Sequence, residues 1–551
     1  MLKPIGLDDV KIAGDLAFRA GLNFDRLETD LYQPAHVLDA NMGSDWPGDW
    51  VGRTILGLTL IARATRRRPR YLDQVLAGLP QRLNEKGYLG PVYPPGVMNE
   101  QQLSGHGWLL RGLAEHHLAT GDQAALDMLA RMVDGLLAPA RGCYAGYPIA
   151  PEQRRHGGGP AGNLTEGAVH NWRLSTDVGC AFIMLDPAVQ AMELLDRPDL
   201  RDLIEEMTAR FLQMDLPALK AQTHAALSAL RGILRYFELD PRPELLDAVA
   251  RIYRLYRAQA MTENYANYNW FGRPEWAEPC AVVDSFMVAV GLWKHTGEAE
   301  YLEDAHHIYF NALGHEQRPN GGFGSDTCVG ATDVFLESAS YESPWCCTMR
   351  GAEGLARVVE STLFRDGEDV WLPFYFDCSA TLRFADGACT VDVTTDYPYQ
   401  GSVTLYVAKS SCAGEKTLKL FTPSWVADET VGCTLNGKAL ACGLAGRFIV
   451  VHTALKTGDH ISLQFDLVHR PVPTFGANNL RGYHTFRHGP LLLGCDRTSE
   501  VRLDADAAMV PLHKARYEVR GTDLVLAPVN DVAHMTAEAA RTSRRQVLFR
   551  A

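Results

Sequence analysis

Apolar positions recur three and four residues apart through much of the first two thirds of the chain. Leu245, Val249, Ile252, Tyr253 and Tyr256 form one such set. This spacing places the side chains on one face of an α-helix. A helix with one apolar face has to bury it against a neighbour, so the pattern predicts a stack of amphipathic helices.

The helices are predicted to come in pairs. An apolar helix, a Thr-Gly-Asp-like turn and a second amphipathic helix follow one another at 110–122, and the pattern returns at 290–298. Each unit is typical of a helical hairpin. Long loops rich in Gly, Pro and aromatic residues interrupt the series at 142–171 and 264–279. Because such loops build a pocket over a ring, we favour a closed (α/α)6 toroid over an open solenoid.

The periodicity changes after about residue 366. Alternation with period two marks 390–397, 401–407 and 461–467, and turn signals such as 435–438 separate the segments. Short strands at this spacing predict a β-sandwich. The segment 535–545 is rich in Ala and Arg and indicates a helix or a disordered end.

A chain of 551 residues is too long for a single core. We expect a catalytic (α/α)6 barrel at 1–365 and a β-sandwich at 366–470. The remainder, 471–551, is expected to form a second small β-rich domain or to complete the sandwich.

Charge and composition narrow the partners. A net charge of −13 disfavours nucleic acid and anionic membrane surfaces, and no apolar run approaches the roughly 20 residues that span a bilayer. We therefore expect a neutral ligand such as a sugar, and a homodimer stays open. Twelve cysteines are too few for a disulfide scaffold and no apolar leader begins the sequence, which favours a cytoplasmic protein.

Three of these cysteines stand out by their spacing. Cys346 and Cys347 are adjacent, and Glu278 lies two residues before Cys280. Three thiols and a carboxylate suit the tetrahedral preference of Zn²⁺, although buried cysteines also occur as ordinary small hydrophobes. The pair is predicted to precede a helix over 350–360, whose N-terminus would stabilise thiolates.

The role of such a metal stays open at this point. Four protein ligands are typical of a structural zinc, whereas a surplus of negative charge would leave one thiolate free to attack carbon. An attack on an acetal also needs a proton donor. Glu263, in a polar aromatic loop, is the first candidate, with Glu275, Asp284 and Glu342 as competitors; the alternative is that Glu263 is a solvated residue at a helix end.

These residues resemble a known pattern. The triplet 278–280, the Cys346-Cys347 pair and Glu263 upstream are similar to the family 127 glycoside hydrolases, the β-L-arabinofuranosidases. Weaker collinear similarities extend over nearly the whole chain, at 10–14, 49–53, 87–90, 395–398, 423–425, 435–437 and 487–491. The chain departs from the family pattern at Pro279 and after Cys347, which indicates a divergent member.

The resemblance implies an (α/α)6 barrel followed by β-sandwiches and a retaining, exo-acting hydrolase that releases an L-arabinofuranose-like sugar from an oligosaccharide or glycoconjugate. It implies that Cys346 is the nucleophile and Glu263 the acid/base. The implied zinc ligands and sugar-binding histidines are Glu278, Cys280, Cys346, Cys347, His106 and His224. Two alternatives remain: an (α/α)6 two-carboxylate glycosidase or polysaccharide lyase with a structural zinc, and a non-catalytic carbohydrate-binding protein.

Overall fold

The computed structural model describes residues 2–39, 46–154, 162–331, 333–475 and 480–551. Its helices form two concentric rings in the described part of the first 360 residues. Consecutive inner helices pack on one another, and the last packs on the first. In chain order the inner helices are Asp49–Thr65, Glu100–Thr120, Leu185–Leu194, Thr223–Leu239, Pro279–Thr296 and Cys347–Glu360.

The outer ring supplies one neighbouring helix for each inner helix. These helices are Gly14–Leu27, Leu72–Gly78, Gln123–Met132, Arg201–Leu212, Pro243–Gln259 and Ala299–His307. Shorter α-helices occupy Pro34–Asp39, Gly314–Glu316 and Ala537–Thr542. The predicted (α/α)6 architecture is confirmed.

The hairpin turns form where the sequence predicts them. The helix Glu100–Thr120 ends at Gly121, which has a φ of 73°, and the side chain of Asp122 accepts a hydrogen bond from the backbone N–H of Ala124 at the start of the next helix. A left-handed glycine followed by an Asp cap reverses the chain at little cost. Gly297 ends the helix Pro279–Thr296 in the same conformation.

Two glycines allow the ring to close tightly. A Cβ atom at Gly52 would lie 2.3 Å from the backbone N of Leu109, and one at Gly57 would lie 2.8 Å from the backbone O of Met349. Both glycines belong to the first inner helix, so its backbone approaches the second inner helix on one side and the last on the other. The N-terminal end of this helix therefore lies beside the Cys346-Cys347 segment.

Two sheets follow the toroid, and each recruits a strand from the N-terminus. The first has six strands, in the order Lys3–Pro4, Phe364–Asp366, Asp369–Leu372, Glu415–Phe421, Phe448–Ala454 and Gly443–Ala445. The second has seven, in the order Lys438–Ala439, Gly432–Leu435, His460–Phe465, Gly401–Ser410, Gly387–Thr395, Cys378–Phe384 and Val10–Ile12. The predicted period-two segments are confirmed as strands.

A third sheet occupies the C-terminal part of the chain. Its main path runs His469–Pro473, His484–His488, Leu491–Asp496, Val525–Pro528, Tyr517–Val519 and Met509–Pro511. Arg544–Gln546 pairs with Leu491–Asp496 and with Phe335–Glu337, a strand from the loop before the last inner helix. A two-stranded sheet joins Met98–Asn99 to Trp172–Arg173. The predicted domain boundaries at 365 and 470 stay a prediction.

None of the helices in the described ranges is long and apolar enough to cross a membrane.

Candidate metal and active site

The structure brings the four predicted metal ligands together. Donor atoms of Glu278, Cys280, Cys346 and Cys347 all lie within 4.8 Å of one another. The sulfur of Cys347 is 3.3 Å from that of Cys346 and 3.7 Å from that of Cys280. Because the residues come from two segments far apart in sequence, the cluster forms only when the fifth and sixth inner helices pack side by side.

Both segments sit at helix N-termini. Glu278 immediately precedes the helix Pro279–Thr296, which places Cys280 in its first turn. Cys346 immediately precedes the helix Cys347–Glu360, as the sequence predicted. The unpaired N–H groups and the dipole of a helix N-terminus favour negative charge. Two such ends facing one cluster therefore stabilise thiolates.

Arg53 adds a positive charge to the cluster. Its Nη1 donates to the sulfur of Cys280 at 3.5 Å, while Nε and Nη2 donate to the two carboxylate oxygens of Asp49 at 2.7 and 3.0 Å. The guanidinium lies 4.2 Å from the ring centre of Trp108. Held by Asp49 and Trp108, Arg53 presents a fixed cation to the thiols.

The three thiols of the cluster differ in their pKa values. Hydrogen bonds from Cys280 and Cys347 lower the pKa of Cys346 to about 5. Burial raises the pKa of Cys280 to about 11, and hydrogen bonds to the neighbouring thiols raise that of Cys347. A divalent cation competes with such protons for the sulfurs.

The donor set fits zinc. Three sulfurs and one carboxylate oxygen form a ligand combination that tetrahedral Zn²⁺ accepts. Glu278 Oε2 is buried and has no hydrogen-bond partner within the described ranges, so one oxygen of this carboxylate is left to bind a cation.

His224 lies behind the carboxylate of Glu278. Its Nδ1 is 3.4 Å from Glu278 Oε1, and its Nε2 is 3.4 Å from Asp284 Oδ2. The imidazole stacks on Trp108 with 5.4 Å between the ring centres. His224 is therefore placed to orient Glu278, and it also reaches the wall of the pocket described next.

A pocket of about 780 Å³ opens over the cluster. Cys346, Cys347 and Glu278 lie in its wall. Indole rings and polar side chains form much of the rest, a combination that suits a sugar, which offers C–H faces to rings and hydroxyl groups to polar atoms. The wall includes Trp46, Trp50, Trp276, Trp345, Ser104, Gln222, Asn269, Ser325, Ser340 and Ser343.

His106 does not take part in this site, contrary to the prediction that it binds sugar. Both of its ring nitrogens are used by the main chain: Nε2 accepts from the N–H of Leu89 at 2.9 Å, and Nδ1 donates to the carbonyl of Gln102 at 2.7 Å. The side chain is buried, and burial lowers its pKa to about 4. His106 is a neutral structural residue whose ring ties a loop to the second inner helix.

The structure does not bring Glu263 into the pocket either. Its side chain is buried, and Oε1 accepts a hydrogen bond from the backbone N–H of Phe475 at 3.0 Å. Its carbonyl accepts a hydrogen bond from Arg487 at 3.4 Å. Glu263 thus joins the toroid to the C-terminal sheet.

Of the three competitors for the acid role, only Glu275 lines the pocket. Glu342 forms an ion pair with Arg26 at 2.8 Å, and Asp284 is paired with buried arginines.

The sequence prediction missed three residues of the site: Asp49, Arg53 and Asp177, all in the pocket wall. The spacing of four between Asp49 and Arg53 is a signal for an ion pair on one helix face. Asp177 lies in a loop and carries no such signal.

Comparison with known proteins gives a family match for part of the chain. Residues 369–467 match the family model described as the β-L-arabinofuranosidase GH127 middle domain. A comparison with curated protein sequences gives no match.

Solved structures extend the likeness to the full chain. A GH127 β-arabinofuranosidase is 15% identical with a TM-score of 0.72, and the match covers 100% of this chain and 98% of the other. A GH127 β-L-arabinofuranosidase from Geobacillus stearothermophilus T6 is 13% identical with a TM-score of 0.73, covering 98% and 99%. At this identity the likeness shows a shared fold. Together with the family model, it confirms the resemblance to the GH127 proteins that the sequence predicts.

Proposed function

We propose that the protein is a retaining, exo-acting glycoside hydrolase that releases a furanosidic, L-arabinofuranose-like sugar from an oligosaccharide or glycoconjugate. The observation that carries the proposal is the set of three cysteines and one glutamate in the wall of a pocket lined with indoles. The GH127 family match and the likeness to two arabinofuranosidase structures support the choice of sugar.

Zn²⁺ is the proposed cofactor, with Glu278, Cys280, Cys346 and Cys347 as its ligands. Bound there, it would keep the thiols deprotonated near neutral pH. All twelve cysteines of the chain are free, and the proposal needs three of them reduced. We therefore place the protein in a reducing compartment such as the cytoplasm.

Cys346 is the proposed nucleophile because it is the half-buried member of the three, whereas Cys280 and Cys347 are buried. Its sulfur would attack the anomeric carbon while the bond to the leaving oxygen breaks. Water would then displace the sulfur at the same carbon, and the electron pair of the C–S bond would return to Cys346. Two inversions give net retention. The first step needs a proton on the leaving oxygen, and the second needs a base for water.

Two measurements on the purified chain test the proposal. We expect elemental analysis of protein prepared without chelator to give about one zinc per chain, a stoichiometry set by a single four-ligand site. We expect a screen of aryl glycosides to show hydrolysis of a furanoside. A metal-free enzyme that is folded and active would overturn the zinc assignment, and failure to hydrolyse any furanoside would overturn the choice of sugar.

Covalent labelling identifies the nucleophile. A furanose-configured cyclophellitol analogue should label Cys346 alone, as detected by peptide mass spectrometry. Labelling of a carboxylate would instead support a two-carboxylate glycosidase in which zinc is structural.

A further inference from the structure

Four carboxylates line the pocket, and three of them already have a partner or a role. Asp49 holds Arg53 through both oxygens, at 2.7 and 3.0 Å. Glu275 accepts a hydrogen bond from Arg273 at 2.5 Å, and Glu278 belongs to the metal cluster. A carboxylate whose oxygens accept hydrogen bonds from a guanidinium is already engaged by a fixed partner. The fourth carboxylate, Asp177, differs from all three.

Asp177 is buried in the pocket wall without a cation. It is 5% exposed, its Oδ1 has no hydrogen-bond partner within the described ranges, and no basic side chain of those ranges forms an ion pair with it. Burial, followed by the negative charge of Glu278, raises the pKa of Asp177 to about 7. Hydrogen bonds from the Trp270 side chain and the Gly162 backbone oppose this rise. A buried carboxyl group whose pKa lies near neutral pH can both give and take up a proton, as a general acid and base requires.

The loop that carries Asp177 is fixed by other groups. The backbone N–H of Asp177 donates to Ser175 Oγ at 3.1 Å, and the N–H of Ser175 donates to Glu100 Oε2 at 2.6 Å. Glu100 is itself buried and paired with Arg154 at 3.0 Å. The backbone is therefore held in place while Oδ1 of Asp177 remains available to a ligand in the pocket.

We infer that Asp177, rather than Glu263, is the catalytic acid and base of the proposed hydrolase. This inference rests on the proposed function. In the first step the O–H of Asp177 gives its proton to the leaving oxygen as that oxygen takes the electron pair of the breaking C–O bond. In the second step the Asp177 carboxylate takes a proton from water as the water oxygen bonds to the anomeric carbon and the C–S bond to Cys346 breaks.

The decisive experiment compares leaving groups in single turnover. An acid matters most for a poor leaving group, so Asp177→Asn should slow cleavage of an alkyl furanoside by about 10²–10⁴-fold. It should slow cleavage of a nitrophenyl furanoside much less, because a nitrophenolate leaves without a proton. Glu263→Gln and Glu275→Gln are the matched controls and should show no such dependence on the leaving group.

A second readout follows the base role. Azide needs no base, so added azide should restore turnover of the nitrophenyl furanoside by Asp177→Asn and give the glycosyl azide with retained configuration. Asp177→Glu keeps the acid and should recover part of the rate on the alkyl substrate. Zinc content and thermal unfolding of each variant are measured alongside. If Asp177 had only a structural role, its substitution would change these properties and would slow both substrates equally.

The outcomes separate this inference from the proposed function. If the unmodified enzyme hydrolyses furanosides but Asp177→Asn slows both leaving groups equally, or Glu263→Gln shows the dependence instead, only the assignment of Asp177 is overturned. If the unmodified enzyme hydrolyses no furanoside, the proposed function fails, and the inference with it.

The pH profile of the unmodified enzyme tests Asp177 without a variant. The acid must be protonated, so kcat/KM for the alkyl furanoside should fall as pH rises through the pKa of Asp177, which burial raises above its usual range. The charges of Glu278 and Glu100 raise this pKa, whereas hydrogen bonds from the Trp270 side chain and the Gly162 backbone lower it. A zinc ion bound to Glu278 would offset the charge of that residue, so the rise that remains in the zinc enzyme comes from burial. The nitrophenyl furanoside should keep its rate over the same range. A parallel fall for both substrates would overturn the assignment.

Discussion

Two of the places where buried charge occurs on the inner helices differ in how the charge is balanced. In the interior of the toroid, each buried carboxylate of a network touches at least two guanidinium groups. This network consists of Asp186, Asp284, Glu353, Arg111, Arg231 and Arg350. In the metal cluster, three thiols and Glu278 face Arg53 and the imidazole of His224.

The two places differ in whether the chain itself can neutralise the buried negative charge. Burial alone would raise the pKa of Asp284, but Arg350 and Arg231 hold it below its usual range. The network is thus balanced by the chain itself and serves packing. The cluster gathers more potential negative charge than its own residues can neutralise. A bound dication removes that imbalance, which is why we interpret the cluster as a metal centre.

The largest expected effect separates the reactive cysteine from an ordinary one. Cys346→Ser should lower turnover by on the order of 10⁶-fold, comparable to loss of the nucleophile in a serine protease. Cys412→Ser is the matched control, because Cys412 is also half-buried and free but lies outside the site. The measurement is hydrolysis of a nitrophenyl furanoside. A Cys346→Ser variant with activity near that of the control would show that the cluster is only structural.

The second prediction concerns a substitution that leaves the buried charges of the network unbalanced. Asp284→Asn leaves Arg231 and Arg350 without a buried anion and should lower the free energy of unfolding by about 3–5 kcal/mol. Denaturant unfolding of protein with matched zinc content measures it. Asp73→Asn, which breaks an exposed pair with Arg68, should change stability by less than about 1 kcal/mol. Equal losses of stability in the two variants would show that the buried network is no more important for stability than an exposed ion pair.

The smallest expected effect concerns His224, which links the buried arginine–carboxylate network to the cysteine cluster. His224 lies between Glu278 and Asp284, so His224→Gln should weaken zinc binding by about 10–100-fold, as outer-shell substitutions do. Competition with a chelator of known affinity measures the change. His106→Gln, another buried histidine on an inner helix, should leave zinc affinity unchanged. Unchanged affinity in His224→Gln would show that Glu278 is oriented by other groups.

Much of the fold could be predicted from the sequence because its signals are local. The three-and-four spacing defined helices, and Gly121 and Gly297 marked their turns. The metal cluster was also predictable, since its four residues form two short strings. Each string needs only one helix N-terminus to set its geometry.

The rest of the site depends on contacts between distant segments. Arg53 reaches Cys280 only because the ring closes, and Asp177 enters the pocket from a loop that Glu100 anchors. Glu263 resembles the family acid in sequence, yet the backbone N–H of Phe475 takes up one of its oxygens. Both ring nitrogens of His106 are likewise hydrogen-bonded to the main chain and are not free to bind a ligand. No local pattern reports such competition for a side chain.

Closure of the ring also constrains how the protein is made. The first inner helix packs against the helix Cys347–Glu360, and the N-terminal strand Val10–Ile12 pairs with Cys378–Phe384. Contacts of such long sequence separation form late during folding. During synthesis on the ribosome, the first helices emerge before these later segments. Arg53 can contact the thiols only after the later segments have been synthesised. During that interval Cys280 is a free thiol without its neighbours, so a metal that needs all four residues could bind only after both segments have been synthesised.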